Sequence, residues 1–390
     1  MKTIYLDHAA TTPVRQEVLD AMVPYFSEIF GNASSIHMVG QRAKKALENA
    51  RAVIAGCIGA DPKEIFFTSG GTESDNLATK GVAHANKTKG MHLITTKIEH
   101  HAVLNCCKSL EEERFEITYL PVDQCGVVLS PALEEAIRPD TVLLSVMLAN
   151  NETGTIQPVS EIAAIARKKR ILLHTDAVQA TGKIPVSVNE LGVDLLSISG
   201  HKIYGPKGIG ALYIRKGTRI YPLLHGGHHE RQMRAGTENI PAIVGLAKAV
   251  ELAQAELPSI IKHLTGLRDR LEQGIREKIS HVHVNGHPIQ KLPNILNVNF
   301  EFIDGEALLL ALDMRGIAVS TGSACTSGAT EPSHVLRAMG VKPTLAQGSI
   351  RFSLGRENTE SEIDFVLDSL VEMVSQLRKA DSRYVKSSRN

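Results

Sequence analysis

The stretch DLLSISGHK, residues 194–202, joins an apolar run to a histidine and a lysine, and its pattern is repeated along the chain. Similar apolar runs end in glycine or small polar residues, and helix-like segments such as residues 160–169 separate them. This alternation predicts an α/β fold with a mostly parallel sheet covered by helices on both faces. The predicted strands are residues 64–68, 92–95, 141–146, 171–175 and 194–198.

A second, smaller unit is predicted after Pro258. A helical pattern from Gly245 to Leu257 runs into this proline, and a new amphipathic pattern follows over residues 260–279. Because proline disrupts helix interiors, we place the domain boundary there. The prediction is a large domain of residues 16–258, and a small α+β domain of residues 1–15 and 259–381. The polar tail, residues 382–390, is expected to be disordered.

Charge and hydropathy exclude several classes of protein. The chain has 43 basic and 42 acidic residues, so no direct nucleic-acid partner is expected. Asp7 and His8 precede any apolar signal-peptide core, and no later run approaches the length of a membrane span. A cytoplasmic protein without a membrane partner is predicted. The five cysteines form no CxxC pair and are expected to be free thiols.

A phosphate-binding loop is predicted where the strand at residues 64–68 ends. Ser69, Gly70 and Gly71 lead into a helix start, whose free N–H groups and Thr72 hydroxyl suit a phosphate. An ordinary capped turn is the alternative, since glycine loops before helices are common.

Two further strand ends carry an acid and a base. Asp176 follows an apolar strand, where a buried carboxylate needs a cationic or hydrogen-bonding partner; it could instead cap a helix. Lys202 follows Ser199, Gly200 and His201, where partial burial lowers an amine pKa as imine formation with an aldehyde requires. Taken alone, Lys202 is more readily interpreted as a surface residue in a turn.

Two histidine-rich stretches have different interpretations. His100 follows the predicted strand at residues 92–95, and its ring could stack on a flat ligand ring. Alternatively, His100 and His101 could be a polar pair that caps a helix. The cluster from His225 to Glu230 could hold a metal, but its glycines leave the ligands unpositioned and no metal site is predicted.

Together, a phosphate loop, a strand-end aspartate and a strand-end lysine match the phosphate, pyridine nitrogen and aldehyde of pyridoxal 5′-phosphate. Longer motifs then resemble one family. YLDHAATTP, SGGTES, NNETG, HTDAVQ, SGHKIYGPKG, RAGTEN, TGSACTSGATEPSHVLRAMG and SIRFSLG, in this order and across nearly the whole chain, look like the NifS/IscS-type cysteine desulfurases. The resemblance implies an aminotransferase-like fold with a seven-stranded sheet in the large domain, and a homodimer.

The resemblance also implies roles for single residues. Lys202 is similar to the lysine that binds the cofactor covalently, Asp176 to the partner of its pyridine nitrogen, Gln179 to a neighbour of its ring hydroxyl, and His100 to the imidazole stacked on its ring. Asn151 and Arg351 look like the residues that position the substrate carboxylate. The implied phosphate ligands are Gly71, Thr72, Ser199, His201 and, from the other subunit, Thr237.

Cys325 is similar to the cysteine that becomes a persulfide. It lies in a run of small residues, TGSACTSGA at 321–329, which predicts a mobile loop. The implied reaction converts L-cysteine to L-alanine: Lys202 removes the α-proton, and Cys325 takes the sulfur and passes it to an acceptor. The acceptor could be a protein for iron–sulfur cluster assembly or a tRNA thiolation enzyme.

Other functions remain compatible with such motifs. An aminotransferase, a decarboxylase or a selenocysteine lyase could share the fold, because fold does not settle the reaction. A sulfur-carrier scaffold without catalytic activity is the alternative outside enzymes. The pairing of Lys202 with Asp176 argues against the scaffold, and Cys325 favours desulfuration.

Overall fold

The computed structural model describes residues 3–321 and 332–380. Helices of very different length occur in this part of the chain. They are α1 (Gln16–Met22), α2 (Pro24–Ser27), α3 (Met38–Ile58), α4 (Gly71–Asn86), α5 (His101–Glu112), α6 (Ser130–Ala136), α7 (Val159–Lys169), α8 (Val188–Leu191), α9 (Ile240–Lys278), α10 (Gly305–Asp313), α11 (His334–Ala338), α12 (Pro343–Ala346) and α13 (Glu360–Ala380). Within the described ranges, none of them has the length and apolar character needed to cross a membrane.

The strands form one large sheet and two small ones. The strands are β1 (Ile4–Tyr5), β2 (Ile65–Thr68), β3 (His92–Thr96), β4 (Glu116–Leu120), β5 (Thr141–Ser145), β6 (Leu172–Asp176), β7 (Leu195–Ser199), β8 (Gly210–Ile214), β9 (Val282–Asn285), β10 (Ile295–Phe300), β11 (Ile317–Ala318), β12 (Ser320–Thr321) and β13 (Ser349–Ser353). The large sheet has seven strands in the order β2-β8-β7-β6-β5-β3-β4, and β1 pairs with β11. The remaining four form a sheet of order β12-β13-β10-β9.

The large sheet confirms the predicted α/β class. Strands β7, β6, β5, β3 and β4 pair in parallel, whereas β8 is antiparallel to both β2 and β7. All five predicted strands form, each within one residue of the predicted limits. Strands β4 and β8 were not predicted. β4 lies at the edge of the sheet with a partly exposed pattern, and β8 is a short run that directly follows a glycine-rich loop.

This topology brings the ends of β2, β6 and β7 to the same edge of the sheet. Because β8 runs antiparallel between β2 and β7, its first residue, Gly210, lies opposite both Thr68 and Ser199. Thr68 begins the glycine loop that leads into α4, and Ser199 leads to Lys202. Ligands of open α/β sheets bind at such an edge.

The long helix α9 corrects the prediction of two helices separated at Pro258. It runs without interruption over 39 residues with Pro258 inside. Its first half packs Ile243, Leu246 and Val250 into the core around the large sheet, and its second half packs Leu267 and Leu271 into a core formed with β10, β13 and α13. These contacts on both sides stabilise the helix, and at the exposed Gln254 water can solvate the carbonyl that proline leaves unbonded. The domain limits stay a prediction.

We predict that Gly210→Ala destabilises the protein. An added Cβ would lie 2.6 Å from the Ile198 carbonyl oxygen and 2.7 Å from the Gly70 backbone, neither of which can move cheaply. Overpacking of this kind costs about 1–3 kcal/mol of unfolding free energy, measurable by urea denaturation. The matched control is Gly56→Ala in α3, where an added Cβ meets nothing within 4 Å. It should stabilise the protein by about 0.5–1 kcal/mol. Equal effects of both substitutions would show that the close backbone contacts of Gly210 do not require glycine.

Candidate active site

A cavity of about 300 Å³ lies at the carboxyl edge of the large sheet. This volume is in the range of small-molecule sites. Most residues that the sequence singled out contribute to its lining: Gly71, Thr72, His100, Asn151, Asp176, Gln179, Ser199, His201, Lys202 and Arg351. Asp75, Ala9 and Ala10 also line it, although no sequence pattern assigned them a role.

One end of the cavity is suited to an anion. Helix α4 begins at Gly71, so the N–H groups of its first turn, which have no carbonyl partner inside a helix, lie where Gly71 and Thr72 line the cavity. The preceding Gly70 has φ 153°, which favours glycine, and a Cβ on Gly71 would lie 2.8 Å from the Val178 side chain. The loop therefore depends on glycine at both positions. Ser199 and His201 approach this helix end from β7, and His201 Nδ1 shares a hydrogen bond of 3.2 Å with Thr11 Oγ1.

Asp176 contributes a buried acidic group to the cavity lining. It is the last residue of β6 and only 7% exposed, and its Oδ1 accepts a 2.9 Å hydrogen bond from the Val178 amide. Burial raises the pKa of Asp176 to about 6, which this amide and Lys202 only partly offset. Near neutral pH the carboxylate is ionised but poorly solvated, so a cationic ligand would stabilise it.

A second carboxyl group, Asp75 in the first turns of α4, lies behind Asp176. Its Oδ1 has no hydrogen-bond partner and lies 3.6 Å from His174 Nε2. Because burial lowers the pKa of His174 to about 3, that contact is not an ion pair. Burial and then the charge of Asp176 raise the pKa of Asp75 well above its ordinary value. Of the two acids, Asp176 therefore carries the charge and Asp75 the proton.

Lys202 lines the same cavity. Its Nζ donates to the carbonyl oxygens of Ala9 at 2.5 Å and Ala10 at 2.7 Å, so the N-terminal segment holds the amine at the cavity. Behind it, the buried Lys183 Nζ donates to the Lys202 carbonyl at 3.1 Å. Burial, followed by the charge of Lys202, lowers the pKa of Lys183 to about 7. The sequence offered no signal for Lys183 beyond a lysine after glycine.

His100, not His101, contributes to the cavity lining. His100 is the N-cap of α5, where its Nδ1 accepts a 3.1 Å hydrogen bond from the Ala102 amide. Burial, followed by Lys202, lowers the pKa of His100 to about 4, so its ring is neutral. The ring of His101 instead lies 4.7 Å from that of His334.

Gln179 donates to the Ala9 carbonyl through Nε2, and its Oε1 is buried without a partner.

Arg351 reaches the cavity from β13 of the four-stranded sheet. It is 3% exposed, and it donates to the Asn151 carbonyl at 3.0 Å and to Asp7 Oδ1 at 2.8 Å. These contacts fix the plane of the guanidinium, whereas its Nε is buried without a partner. The structure thus brings Arg351 and Asn151 together, and it adds Asp7, whose motif the sequence comparison had noted without a role.

One sequence-predicted residue among the described ones does not line this cavity. Thr237 is exposed in the segment before α9 and does not line the cavity of its own chain. Cys325 lies outside the described residues.

The cluster from His225 to Glu230 does not act as a ligand set in the structure, where Glu230 pairs with Arg51 at 2.8 Å. Within residues 3–321 and 332–380, no group of three or more histidine, cysteine or acidic side chains could hold a metal. Four cysteines in the same ranges, Cys57, Cys106, Cys107 and Cys125, are free thiols as predicted.

Comparisons with known proteins agree with this geometry. The family profile described as "Aminotransferase class-V" matches residues 4–366. Cysteine desulfurase IscS of Methanosarcina thermophila is 57% identical, covering 97% of this chain and 93% of that protein; its namesake from Dictyoglomus turgidum is 55% identical, covering 97% and 96%. A solved structure described as a NifS-like protein superposes with a TM-score of 0.91 at 45% identity, covering 96% of this chain and 99% of that chain. A structure described as SspA in complex with cysteine gives 0.81 at 40% identity, with 90% and 99% covered.

The chain therefore belongs to the class-V aminotransferases, a family of pyridoxal-phosphate-dependent enzymes. Within that family it is a cysteine desulfurase of the NifS/IscS type.

Proposed function

We propose that the cavity binds pyridoxal 5′-phosphate and that the enzyme uses it to convert L-cysteine to L-alanine, leaving the sulfur on Cys325 as a persulfide. The observation that carries this proposal is the convergence of Lys202, the buried Asp176 and the N-terminus of α4 in one cavity.

The residues present fit this cofactor. The α4 N-terminus with Thr72, Ser199 and His201 would hold the phosphate, and Asp176 would face the ring nitrogen. The neutral ring of His100 is suited to stacking, and the unpartnered Gln179 Oε1 can accept a hydrogen bond from the ring hydroxyl. When bound, the cofactor supplies an electron-withdrawing ring that stabilises negative charge at the substrate α-carbon.

The chain's own residues have separate tasks in the proposed reaction. Arg351, oriented by Asp7 and the Asn151 carbonyl, binds the substrate carboxylate through a planar, charge-assisted contact. Lys202 Nζ, held at the cavity by the Ala9 and Ala10 carbonyls, would hold the cofactor through its aldehyde and would take the α-proton of the substrate.

Cys325 is assigned the role of the sulfur acceptor from the resemblance of its motif. The positions of the flanking residues support the assignment. Ser320 lies opposite Arg351 in the ladder of β12 and β13, and Ser333 donates to Glu152, the residue after Asn151. Cys325 follows Thr321 by four residues, which span at most about 14 Å when extended. Its thiolate would attack the substrate sulfur and form the S–S bond of the persulfide. The C–S bond breaks, its electrons go to the substrate β-carbon, and this carbon takes up a proton to become the methyl group of alanine.

A homodimer is the proposed assembly. Apolar side chains of α1, α2, the start of α3 and the segments that connect these helices are exposed, and soluble monomers seldom carry large apolar patches. They are Leu19, Val23, Phe26, Phe30, Ile36, Met38 and Val39. In such a dimer the exposed Thr237 would complete the phosphate site of the partner subunit.

The persulfide would then serve an acceptor protein, either a scaffold for iron–sulfur cluster assembly or a tRNA thiolation enzyme. The activity of the relatives supports a sulfur donor but does not choose between these acceptors. Cytoplasmic location stays a prediction from the sequence.

Lys202→Ala should abolish covalent attachment of the cofactor. Borohydride reduction of the loaded wild-type protein followed by mass spectrometry should place the label on Lys202, because this amine alone meets the anion site and Asp176. The matched control is Lys207→Ala, an exposed lysine in the same loop, which should label fully. Covalent label in the Lys202→Ala protein would overturn the assignment.

Asp176→Asn should reduce turnover by at least about a hundredfold but cofactor affinity by only about tenfold at pH 8, because the phosphate contacts remain. The ratio of wild-type to variant cofactor affinity should fall toward one below pH 6. Burial raises the pKa of Asp176 to about 6, so below that pH the side chain is protonated and neutral like asparagine. Titrating both proteins cancels the ionisation of the phosphate itself. A ratio that does not change between pH 8 and pH 5, or equal losses of turnover and affinity, would mean that Asp176 is structural.

Cys325→Ala should still bind cofactor and cysteine and still exchange the α-proton in deuterated water, yet release no alanine and accumulate no persulfide. Cysteine sulfinate, whose leaving group departs without nucleophilic help, should keep a substantial share of wild-type turnover in this variant. Cys125→Ala is the control and should desulfurate normally. Parallel loss of sulfinate turnover, proton exchange and desulfuration would show that Cys325 acts earlier than sulfur transfer.

A further inference from the structure

Strand β2 has an outer edge that ion pairs cover in place of another strand. Its other edge pairs with β8, and in the large sheet it is terminal. On the outer edge, the Phe67 amide donates to Glu230 Oε2 at 2.8 Å, and the Ile65 carbonyl accepts from Arg51 and Arg231, each at 2.7 Å. Glu230 thus provides the acceptor that a neighbouring strand would otherwise supply.

Glu230 is held there by a buried, two-pronged ion pair. Both of its carboxylate oxygens accept from Arg51, at 2.8 and 2.9 Å, and each side chain is 3% exposed. The Arg231 guanidinium stacks at 4.3 Å over the ring of Phe66. Such a pair is costly to desolvate, so its geometry has to be specific.

The backbone at this point has an unusual conformation. Glu230, Arg231 and Gln232 have φ values of 44°, 53° and 68°, in the left-handed region that non-glycine residues rarely adopt. Strain of this kind persists where surrounding contacts determine it, and it is concentrated at functional sites. The Glu230 contacts therefore set the direction in which the chain continues toward Thr237.

A second ion pair holds the same segment further on. Arg234 donates to both carboxylate oxygens of Glu73, at 2.9 and 3.2 Å, and Glu73 Oε2 also accepts from the Ser69 amide at 2.7 Å. Ser69 and Glu73 flank the glycine loop at the N-terminus of α4. The segment 230–237 is thus attached to the strand before the loop and to the helix after it, and it ends with Thr237 exposed to solvent.

We propose that Glu230, fixed by Arg51, is a positioning residue that presents Thr237 to the phosphate site of the partner subunit. This inference rests on the proposed function, specifically on a homodimer with shared sites. Contacts inside one chain would then decide how well the other chain holds its cofactor. The residues that flank the phosphate loop of one subunit would thereby hold Thr237 in place for the phosphate site of the other subunit.

Hybrid dimers with two affinity tags test the inference. One chain carries Lys202→Ala and cannot be labelled; the other keeps Lys202. The fraction of intact chain that carries cofactor after borohydride reduction, measured by mass spectrometry against cofactor concentration, gives the affinity of one defined site. Glu230→Gln in the Lys202→Ala chain should weaken that site about tenfold or more, as expected for loss of a charge-assisted contact. The same substitution in the intact chain should change it less than threefold.

Two companion variants make the outcome unambiguous. Thr237→Ala in the Lys202→Ala chain should give the same loss, and adding Glu230→Gln to it should give no further loss. Arg234→Gln replaces Glu230→Gln if the latter does not fold, since its ion pair with Glu73 is less buried. Glu48→Gln is the matched control, because Glu48 also pairs with Arg51, at 3.4 Å, but is exposed, and it should have no effect in either chain.

The failures can be told apart. If Thr237→Ala has no effect from the neighbouring chain, the shared site of the proposed homodimer is wrong. If Thr237→Ala weakens the site but neither Glu230→Gln nor Arg234→Gln does so from that chain, the positioning role alone is wrong. If Glu230→Gln acts mainly within its own chain, Glu230 only supports β2.

Discussion

The ionised carboxylate of Asp176, nearly sealed at the end of β6, is the constraint around which the site is built. Burial disfavours its charge, and within the protein the Val178 amide and Lys202 compensate only in part. A cationic ring nitrogen would supply the missing stabilisation. Asp75 is protonated and does not compete with Asp176 for a cation. The rings of His100 and His201 are neutral as a result of burial, so neither provides the positive charge.

The separation of charge between Asp75 and Asp176 follows from their different surroundings. Asp176 has an amide donor and a nearby ammonium, whereas Asp75 has an unpartnered oxygen and lies next to the neutral His174. Two buried carboxyl groups this close cannot both ionise at moderate cost, so the better-solvated one loses its proton. The negative charge is thereby localised at the wall of the cavity, where a ligand can meet it.

Sequence patterns predicted the part of the fold that depends on local chemistry. The strands at residues 92–96 and 195–199 combine apolar runs with polar ends, and the lysine, aspartate and glycine loop lie where parallel strands terminate. Pro258 misled because helix propensity is local, whereas α9 is stabilised by packing against two cores far apart in sequence. Glu230 and Asp75 could not be recognised, since their roles depend on Arg51 and Asp176, which are distant in sequence.

The cavity is completed by parts of the chain that do not belong to the large sheet. Arg351 comes from β13, and the Ala9 and Ala10 carbonyls that hold Lys202 come from the segment after β1, whose strand pairs with β11. Asp7 connects the two contributions, because it pairs with Arg351 and precedes Ala9 by two residues. Displacing β13 relative to the large sheet would therefore disturb Arg351 and Lys202 together. For this reason the position of the four-stranded sheet matters to the cavity as much as the order of strands in the seven-stranded sheet.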